Sequence, residues 1–327
     1  MNTIVTGGAG FIGSHLVEHL TSEGHSVTVL DNFSTGRYEN LEHLKKNISI
    51  IECDLNEEND IDNIVKGADW VFHLAALADI VPSIQNPQKY FNANVNGTLR
   101  LLEACNNTII SKFIYAASSS CYGMPDIYPT PETALINPQY PYALTKRMGE
   151  ELVLHWSQVY KIPAISLRFF NVYGPRSRTS GTYGAVFGVF LAQKLAGRPL
   201  TIVGDGAQTR DFTFVTDVVE AMYISAKSNV KNKIYNVGSG KTVSINYIAK
   251  ILNEETVHIP KRPAEPDITF ADISKITTEL NWFPKVSIEE GITLLLKNIK
   301  YWENAPVWTP QTIAEATKDW FHYLSTK

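Results

Sequence analysis

Cysteine is scarce in this chain of 327 residues: only Cys53, Cys105 and Cys121 occur. An odd number without metal-ligand spacing argues against a disulfide framework and a cysteine-built metal centre, and for a reducing compartment. No apolar run approaches the roughly 20 residues that span a bilayer. No block of like charges occurs, and a net charge of −4 supplies no basic field for nucleic acid. Repeats, low-complexity tracts and long linkers are also missing. The opening Met1-Asn2-Thr3-Ile4-Val5 reads as a core strand and leaves no room for a signal peptide. A cytoplasmic protein is expected, with no metal, no nucleic-acid partner and no membrane contact.

What is present is an ordinary globular balance, 44% hydrophobic and 19% charged, in a length that suits one large α/β domain plus a smaller lobe. Short apolar runs at Ile4–Thr6, Val27–Leu30, Ile48–Ile51, Trp70–Leu74, Phe113–Ala116 and Ala164–Leu167 read as strands. Helical patterns fall between them at Ile12–Ser22, Asp60–Lys66, Tyr90–Cys105 and Tyr142–Tyr160. This alternation predicts a Rossmann-type, doubly wound parallel sheet with helices on both faces. Proline and glycine become denser after Asn171, through Gly174-Pro175, Gly181, Gly184 and Gly204-Asp205-Gly206, which suggests a second lobe. Phe214–Ala226 and Ile234–Val237 look like a return to the first lobe. The expected division is a dinucleotide-binding domain over 1–170, with 214–237 returning to it, and a discontinuous substrate lobe over 171–213 and 238–327.

The segment Thr6-Gly7-Gly8-Ala9-Gly10-Phe11-Ile12-Gly13 joins the first strand to the first helix. Gly7 suits a tight turn, Gly10 lets backbone approach a pyrophosphate, and Gly13 lets helix pack on strand. The helix start offers free N–H groups and partial positive charge. A glycine turn alone is weak; Asp31 at the end of the second strand adds a carboxylate where ribose hydroxyls would lie. Its charge disfavours a 2′-phosphate, so NAD is expected over NADP, although Arg37 nearby softens that preference. Asp54, with Leu55, ends the third strand; it suits either an adenine amino group or an ordinary surface position. His73 precedes Leu74-Ala75-Ala76, small residues where a cofactor would pass, and is itself read as structural.

Tyr142 and Lys146 are spaced to share one helix face, just after Pro141 at a helix start. Such a pair is also what a solvated helix presents. The strand Phe113–Ala116 runs into Ala117-Ser118-Ser119-Ser120, hydroxyls at the strand end where open α/β sheets bind ligands; a polar loop would look the same. Taken together in this order, glycine loop, serine run and Tyr142-x-x-x-Lys146 resemble the extended short-chain dehydrogenase/reductase family, over nearly the whole chain. The resemblance implies that Tyr142 is the acid/base, that Lys146 holds the nicotinamide ribose and lowers the tyrosine pKa, and that Ser118 bonds the reacting oxygen. A free tyrosine titrates near ~10 and needs adjacent positive charge to act as a base at neutral pH. The implied NAD contacts are Gly7, Gly10, Phe11, Ile12, Gly13, Asp31, Asn32, Ser34, Thr35, Gly36, Asp54, Leu55, Leu74, Ala75, Ala76, Asn94, Tyr142, Lys146 and Phe169.

Within that family the chain resembles UDP-sugar 4-epimerases, through Asp31-Asn32-Phe33-Ser34-Thr35-Gly36, Asn94-Val95-Asn96-Gly97-Thr98, Phe169-Phe170-Asn171-Val172-Tyr173-Gly174-Pro175 and Thr209-Arg210-Asp211-Phe212. The implied substrate is a UDP-sugar. Asn171, Arg210 and Arg262 would meet its phosphates, Val186 and Thr201 to Val203 its uracil, and Glu265 its ribose. Ser83 joins Ser118, Ser119 and Ser120 among the implied substrate-binding residues. Related dehydratases and decarboxylases carry acidic residues just after the catalytic serine or threonine; here Ser119 and Ser120 stand there, which favours simple inversion at C4. Uronate and pentose epimerases stay open, and Ala78 and Ala93 depart from epimerases with polar residues at those positions. Thr269 stands where plain-hexose epimerases tend to carry a bulky aromatic, which implies room for N-acetylhexosamines; an ordinary strand threonine is the alternative. The resemblance also implies a homodimer through Tyr90–Cys105 and Tyr142–Tyr160. Leu99, Leu102, Leu152 and Val153 suit that interface or an internal core equally.

Overall fold

The computed structural model describes residues 1–57, 60–177 and 184–325, so Gly181 lies outside the described residues. At its centre are seven strands, β1 (Asn2–Thr6), β2 (Ser26–Asp31), β3 (Ile48–Glu52), β4 (Trp70–His73), β5 (Lys112–Ser118), β6 (Ala164–Phe169) and β7 (Lys233–Val237). They are ordered β7-β6-β5-β4-β1-β2-β3, all parallel. This is the Rossmann-type α/β sheet, with the expected strand ends moved by at most two residues. Every residue of β4 and β6 is buried, as a sheet covered on both faces requires. The order reverses between β1 and β4, which opens a crevice at their carboxyl ends.

Helices α1 (Phe11–Ser22), α2 (Gly97–Asn106), α3 (Pro141–Val159) and α4 (Val215–Lys227) cover the sheet. On one face Leu16, Val17 and Leu20 of α1 pack with Val218, Ala221 and Met222 of α4. Each large aliphatic side chain buried there contributes roughly 1.5–3 kcal/mol. On the other face Leu101 and Leu102 of α2 meet Val153 of α3. Leu102 and Val153 are thus internal, whereas Leu99 and Leu152 are half-buried.

The helical stretch expected over Tyr90–Cys105 is not uniform. An α-helical turn at Pro87–Phe91 passes through a π-helical turn at Asn92–Asn96 before α2 begins. Apolar periodicity cannot show this, because the widened turn serves a polar residue, Asn94, which is buried and bonded inside the chain.

A second core forms around Tyr173, Phe187, Phe190, Ile202, Phe212, Ile248 and Trp302. Short strand pairs frame it: Leu200–Val203 with Thr256–Ile259, and Asn171–Tyr173 with Phe212–Phe214. α4 from Val218 onward and β7 lie on the first core, whereas Phe214 and Val215 belong to the second. The chain later crosses back to the first core once more. Ile276, Leu280 and Trp282 pack into the first core, and Trp282 Nε1 donates to Asp217 O at 3.1 Å. Among the described residues no helix is long and apolar enough to cross a membrane.

Candidate active site

β1 feeds the turn at Gly7, whose φ of +69° favours glycine. A Cβ on Gly7 would sit 2.7 Å from Ala75 N, and one on Gly13 only 2.1 Å from Gly7 O. At Gly10 an added Cβ would meet only Gly7 O, at 3.2 Å, so the outer side of the turn is open. Phe11 and Ile12 then start α1, whose N-terminus has no side-chain cap. Asp31, buried at the end of β2, accepts hydrogen bonds from Ala9 N and Phe33 N, both at 2.9 Å. Each oxygen keeps a lone pair for a further donor. Burial pushes the Asp31 pKa up and those two N–H groups pull it back, leaving it raised. Gly36 lies against this carboxylate, and Ser34 N donates to Asn32 Oδ1 at 3.1 Å. Asn32 Nδ2 donates to Asp54 Oδ2 at 2.7 Å, which joins the ends of β2 and β3. Thr35 is exposed and Leu55 buried. The Arg37 guanidinium stands 5.8 Å from the centre of the Tyr301 ring.

Leu74, Ala75 and Ala76 follow β4, half-buried along the crevice. Beneath them His73 sits in a directional chain. Ala75 N donates to Thr6 Oγ1 (3.2 Å), which faces His73 Nδ1 (2.7 Å); His73 Nε2 faces Thr98 Oγ1 (2.8 Å), which donates to Asn94 O (2.7 Å). The Thr98 hydroxyl proton is committed to Asn94, so Nε2–H is the donor and Nδ1 accepts from Thr6. That tautomer is neutral, in keeping with a pKa that burial, and then Lys146, lower to about 3. Asn94 ties the loop to α3: its amide bonds Leu77 N, Leu77 O and Thr145 Oγ1 at 2.8 to 3.0 Å.

Tyr142 and Lys146 lie in α3, with Ser118, Ser119 and Ser120 at the end of β5 opposite them. Ser118 Oγ and Ser120 Oγ are 2.8 Å apart, and both act on the Tyr142 hydroxyl to pull its pKa down. Phe169, paired with Ser118 across the sheet, is buried at the end of β6. Lys146 is 5% exposed, with its ammonium 4.4 Å from the centre of the Tyr115 ring. Burial lowers its pKa to about 7 against the opposing charge of Glu150.

Several residues of this site carry no local motif. Glu150, one turn after Lys146, receives Arg168 Nη2 (2.7 Å) and Nε (3.0 Å), Ser166 Oγ (2.7 Å) and Arg147 Nη1 (2.5 Å). Arg168 Nη1 also donates to Tyr122 Oη at 2.8 Å. The four-residue spacing from Lys146 is the one signal that could have found Glu150. Asp79, after β4, acts on Tyr142 through its charge.

At the other end, Asn171 Oδ1 accepts from Thr269 Oγ1 at 2.8 Å, and Thr269 Oγ1 accepts from Asp211 N at 3.2 Å. Asp211 is fully buried and gathers Ser239 N (2.5 Å), Ser239 Oγ (2.7 Å), Ala271 N (3.1 Å) and Gly240 N (3.2 Å). It thereby clamps three segments beside Arg210. Glu265 lies between Arg210 Nη2 (3.1 Å) and Arg262 Nη1 (3.6 Å), so three of the implied substrate residues form one cluster. Val186 and Val203 are half-buried in the second lobe. Ser83 and Thr201 stand apart: Ser83 is fully buried with its hydroxyl on Ile80 O, and Thr201 is buried with its amide and hydroxyl both on Gln193. Their groups face the interior of each lobe.

A family model for the NAD dependent epimerase/dehydratase family matches residues 3–238. The chain belongs to this family. It is 36% identical over 306 residues to a putative UDP-glucose 4-epimerase of Methanocaldococcus jannaschii, covering 91% of this chain and 98% of that protein. It is also 33% identical over 318 residues to a UDP-N-acetyl-alpha-D-glucosaminuronate decarboxylase of Bacillus cytotoxicus, covering 92% and 98%. The crystal structure of UDP-glucuronic acid 4-epimerase from Bacillus cereus, in complex with UDP-glucuronic acid and NAD, superposes with a TM-score of 0.86 at 34% identity, covering 92% and 99%.

NAD is the cofactor of this family, and the residues present fit it. The Lys146 ammonium is buried over a ring face and has no hydrogen bond to the rest of the chain among the described residues, a donor set suited to ribose hydroxyls. The open turn at Gly10 and the uncapped start of α1 suit a pyrophosphate. One expectation differs. The Tyr142 pKa is raised, because burial outweighs the hydroxyls of Ser118 and Ser120 and the Asp79 charge adds to it.

Proposed function

We propose that this member of the UDP-sugar epimerase and decarboxylase family inverts the C4 hydroxyl of a UDP-hexose, N-acetylhexosamines included, through a transient 4-keto sugar. The observation that carries the reading is the serine run beside Tyr142: Ser118 Oγ and Ser120 Oγ, 2.8 Å apart, act on its hydroxyl, and the run holds no carboxylate. Dehydration or decarboxylation would call for an acid at Ser119 or Ser120. Bound NAD supplies reversible two-electron oxidation of the sugar carbon. Tyr142 takes the proton of the C4 hydroxyl and later returns it. Ser118 orients the reacting oxygen, while Lys146 holds the nicotinamide ribose and adds positive charge. Arg210, Arg262 and Asn171 anchor the diphosphate and Glu265 the uridine ribose, so that the sugar can turn over while the nucleotide stays bound.

The family also contains decarboxylases, and activity on UDP-sugars separates the readings. Purified protein is incubated with UDP-glucose, UDP-N-acetylglucosamine and UDP-glucuronic acid without added NADH, and products are followed by NMR. Interconversion of the axial and equatorial C4 hydroxyl supports the epimerase. A 6-deoxy-4-keto sugar would show a dehydratase, a pentose from the uronate a decarboxylase, and no turnover a non-catalytic NAD-binding protein. We also propose a homodimer through the half-buried Leu99 and Leu152 faces, checked by sedimentation, and a reducing compartment, in which Cys53, Cys105 and Cys121 stay free.

A further inference from the structure

The helix Pro310–Leu324 starts with a capping box at Thr309 and buries Ile313, Thr317 and Trp320. It bridges two parts of the molecule. On one side Gln85 Nε2, from the helix Ile80–Gln85 that follows β4, donates to Asp319 Oδ2 at 2.7 Å. On the other, Trp320 Nε1 donates to Pro263 O at 2.7 Å, and the Arg262 guanidinium carbon stands 5.2 Å from the indole centre. Tyr140 lies 6.5 Å from the same indole and is stacked parallel to Tyr142, with centres 6.4 Å apart. Trp320 is 4% exposed, so it is wedged between the ring beside Tyr142 and Arg262. Phe321 of the same helix and Ser325 just after it line a cavity of about 640 Å³ together with Arg262 and Glu265.

An arginine gives up rotamer freedom when it grips a phosphate. Here the indole face on one side and Glu265, 3.6 Å away, restrict the fork before any ligand arrives. We propose that Trp320 is a positioning residue for Arg262, which makes the C-terminal helix part of the nucleotide-binding end of the site. The proposal rests on the reading of that end as a UDP site.

The test is a double-mutant cycle on UDP binding by calorimetry, using full-length wild type, Trp320→Leu, Trp320→Phe, Arg262→Ala and the Leu/Ala double variant, with thermal unfolding of each. Trp320→Leu should weaken UDP binding about five- to tenfold, and Trp320→Phe, which keeps a ring face, should recover most of that. In the Arg262→Ala background, Trp320→Leu should change the affinity by less than about twofold. KM for the UDP-sugar should rise in proportion, with kcat altered far less. Equal effects of Trp320→Leu with and without Arg262 would overturn the proposal and leave Trp320 a packing residue. Trp320→Met fills more of the indole volume and replaces the leucine variant in the cycle if that variant does not fold. A wild type that binds no UDP would overturn the reading of the site itself, whereas UDP binding with additive effects overturns this inference alone.

Discussion

Lys146 and Tyr115 hold each other in the wall of the site. The lysine ammonium rests 4.4 Å from the centre of the tyrosine ring, and the Tyr115 hydroxyl donates to the Lys146 carbonyl at 3.2 Å. The aromatic face replaces part of the hydration the ammonium has lost, and its neighbour Glu150 is already shared with Arg168 and Arg147. A cation kept this dry is poor for stability and ready for a ligand.

Replacing it with an apolar residue of similar length separates those two roles. Lys146→Met should reduce turnover by about a hundredfold or more. The same change should raise stability at pH 7 by on the order of 1–3 kcal/mol, since a buried charge is removed. The folded pKa is lowered to about 7 from 10.5, so the unfolded chain binds more protons between those values. This group's contribution therefore makes stability rise with pH across that window, and Lys146→Met should flatten the slope. Urea unfolding at pH 6.5, 8 and 9.5 measures it; an unchanged slope would count against a buried, titrating lysine.

Tyr142→Phe should lower turnover by roughly 10²–10⁴-fold while the protein still carries NAD, read from the absorbance of the denatured supernatant. Retained activity would remove Tyr142 from the mechanism.

Asp79 raises the Tyr142 pKa through its charge. Asp79→Asn should therefore lower it, so the acid limb of the kcat–pH profile moves to lower pH. A limb that stays in place, or moves up, would show that the carboxylate does not act on Tyr142.

Glu150 should matter more for folding than its position suggests. Burial raises its pKa, but the hydrogen bond and charge of Arg168, with Ser166 and Arg147, leave it lowered overall. Its stability contribution is then present above the unfolded carboxylate pKa and lost as pH falls through the folded one. Glu150→Gln leaves Arg168 buried without its counter-charge and should cost about 3–5 kcal/mol in urea unfolding at pH 7. The wild type should approach the variant at acid pH; a constant gap would place the cost elsewhere.

Thr269 holds Asn171 by its hydroxyl, so size and hydrogen bonding must be separated. Thr269→Tyr should impair UDP-N-acetylglucosamine more than UDP-glucose, by about tenfold in kcat/KM. Thr269→Val removes the hydroxyl without adding bulk and should weaken both substrates alike. Equal losses from the tyrosine variant would end the size argument.

The first lobe was legible in local residues because its signals are local. Buried strands read as short apolar runs, and Gly7, Gly13 and Asp31 meet within one strand–turn–helix–strand unit. Tyr142 and Lys146 are one helical turn apart, so secondary structure alone puts them on one face. The spacing predicts them, but it does not reveal the roof over them. Glu150 of α3 meets Arg168 of β6, and Trp320 meets Arg262 and Tyr140 from distant parts of the chain. Ser83 and Thr201 show the converse, hydroxyls at plausible positions that tertiary packing turns inward. The π-helical turn that buries Asn94 and the return of 276–282 to the first core are likewise invisible to periodicity. Strand positions, glycine turn and helix spacing follow from interactions along the chain, whose sequence separation is short, whereas strand order rests on pairings such as Thr6 with His73. Burial, charge coupling and the neutral state of His73 depend on which distant groups exclude water from one another, and the folded arrangement alone decides that.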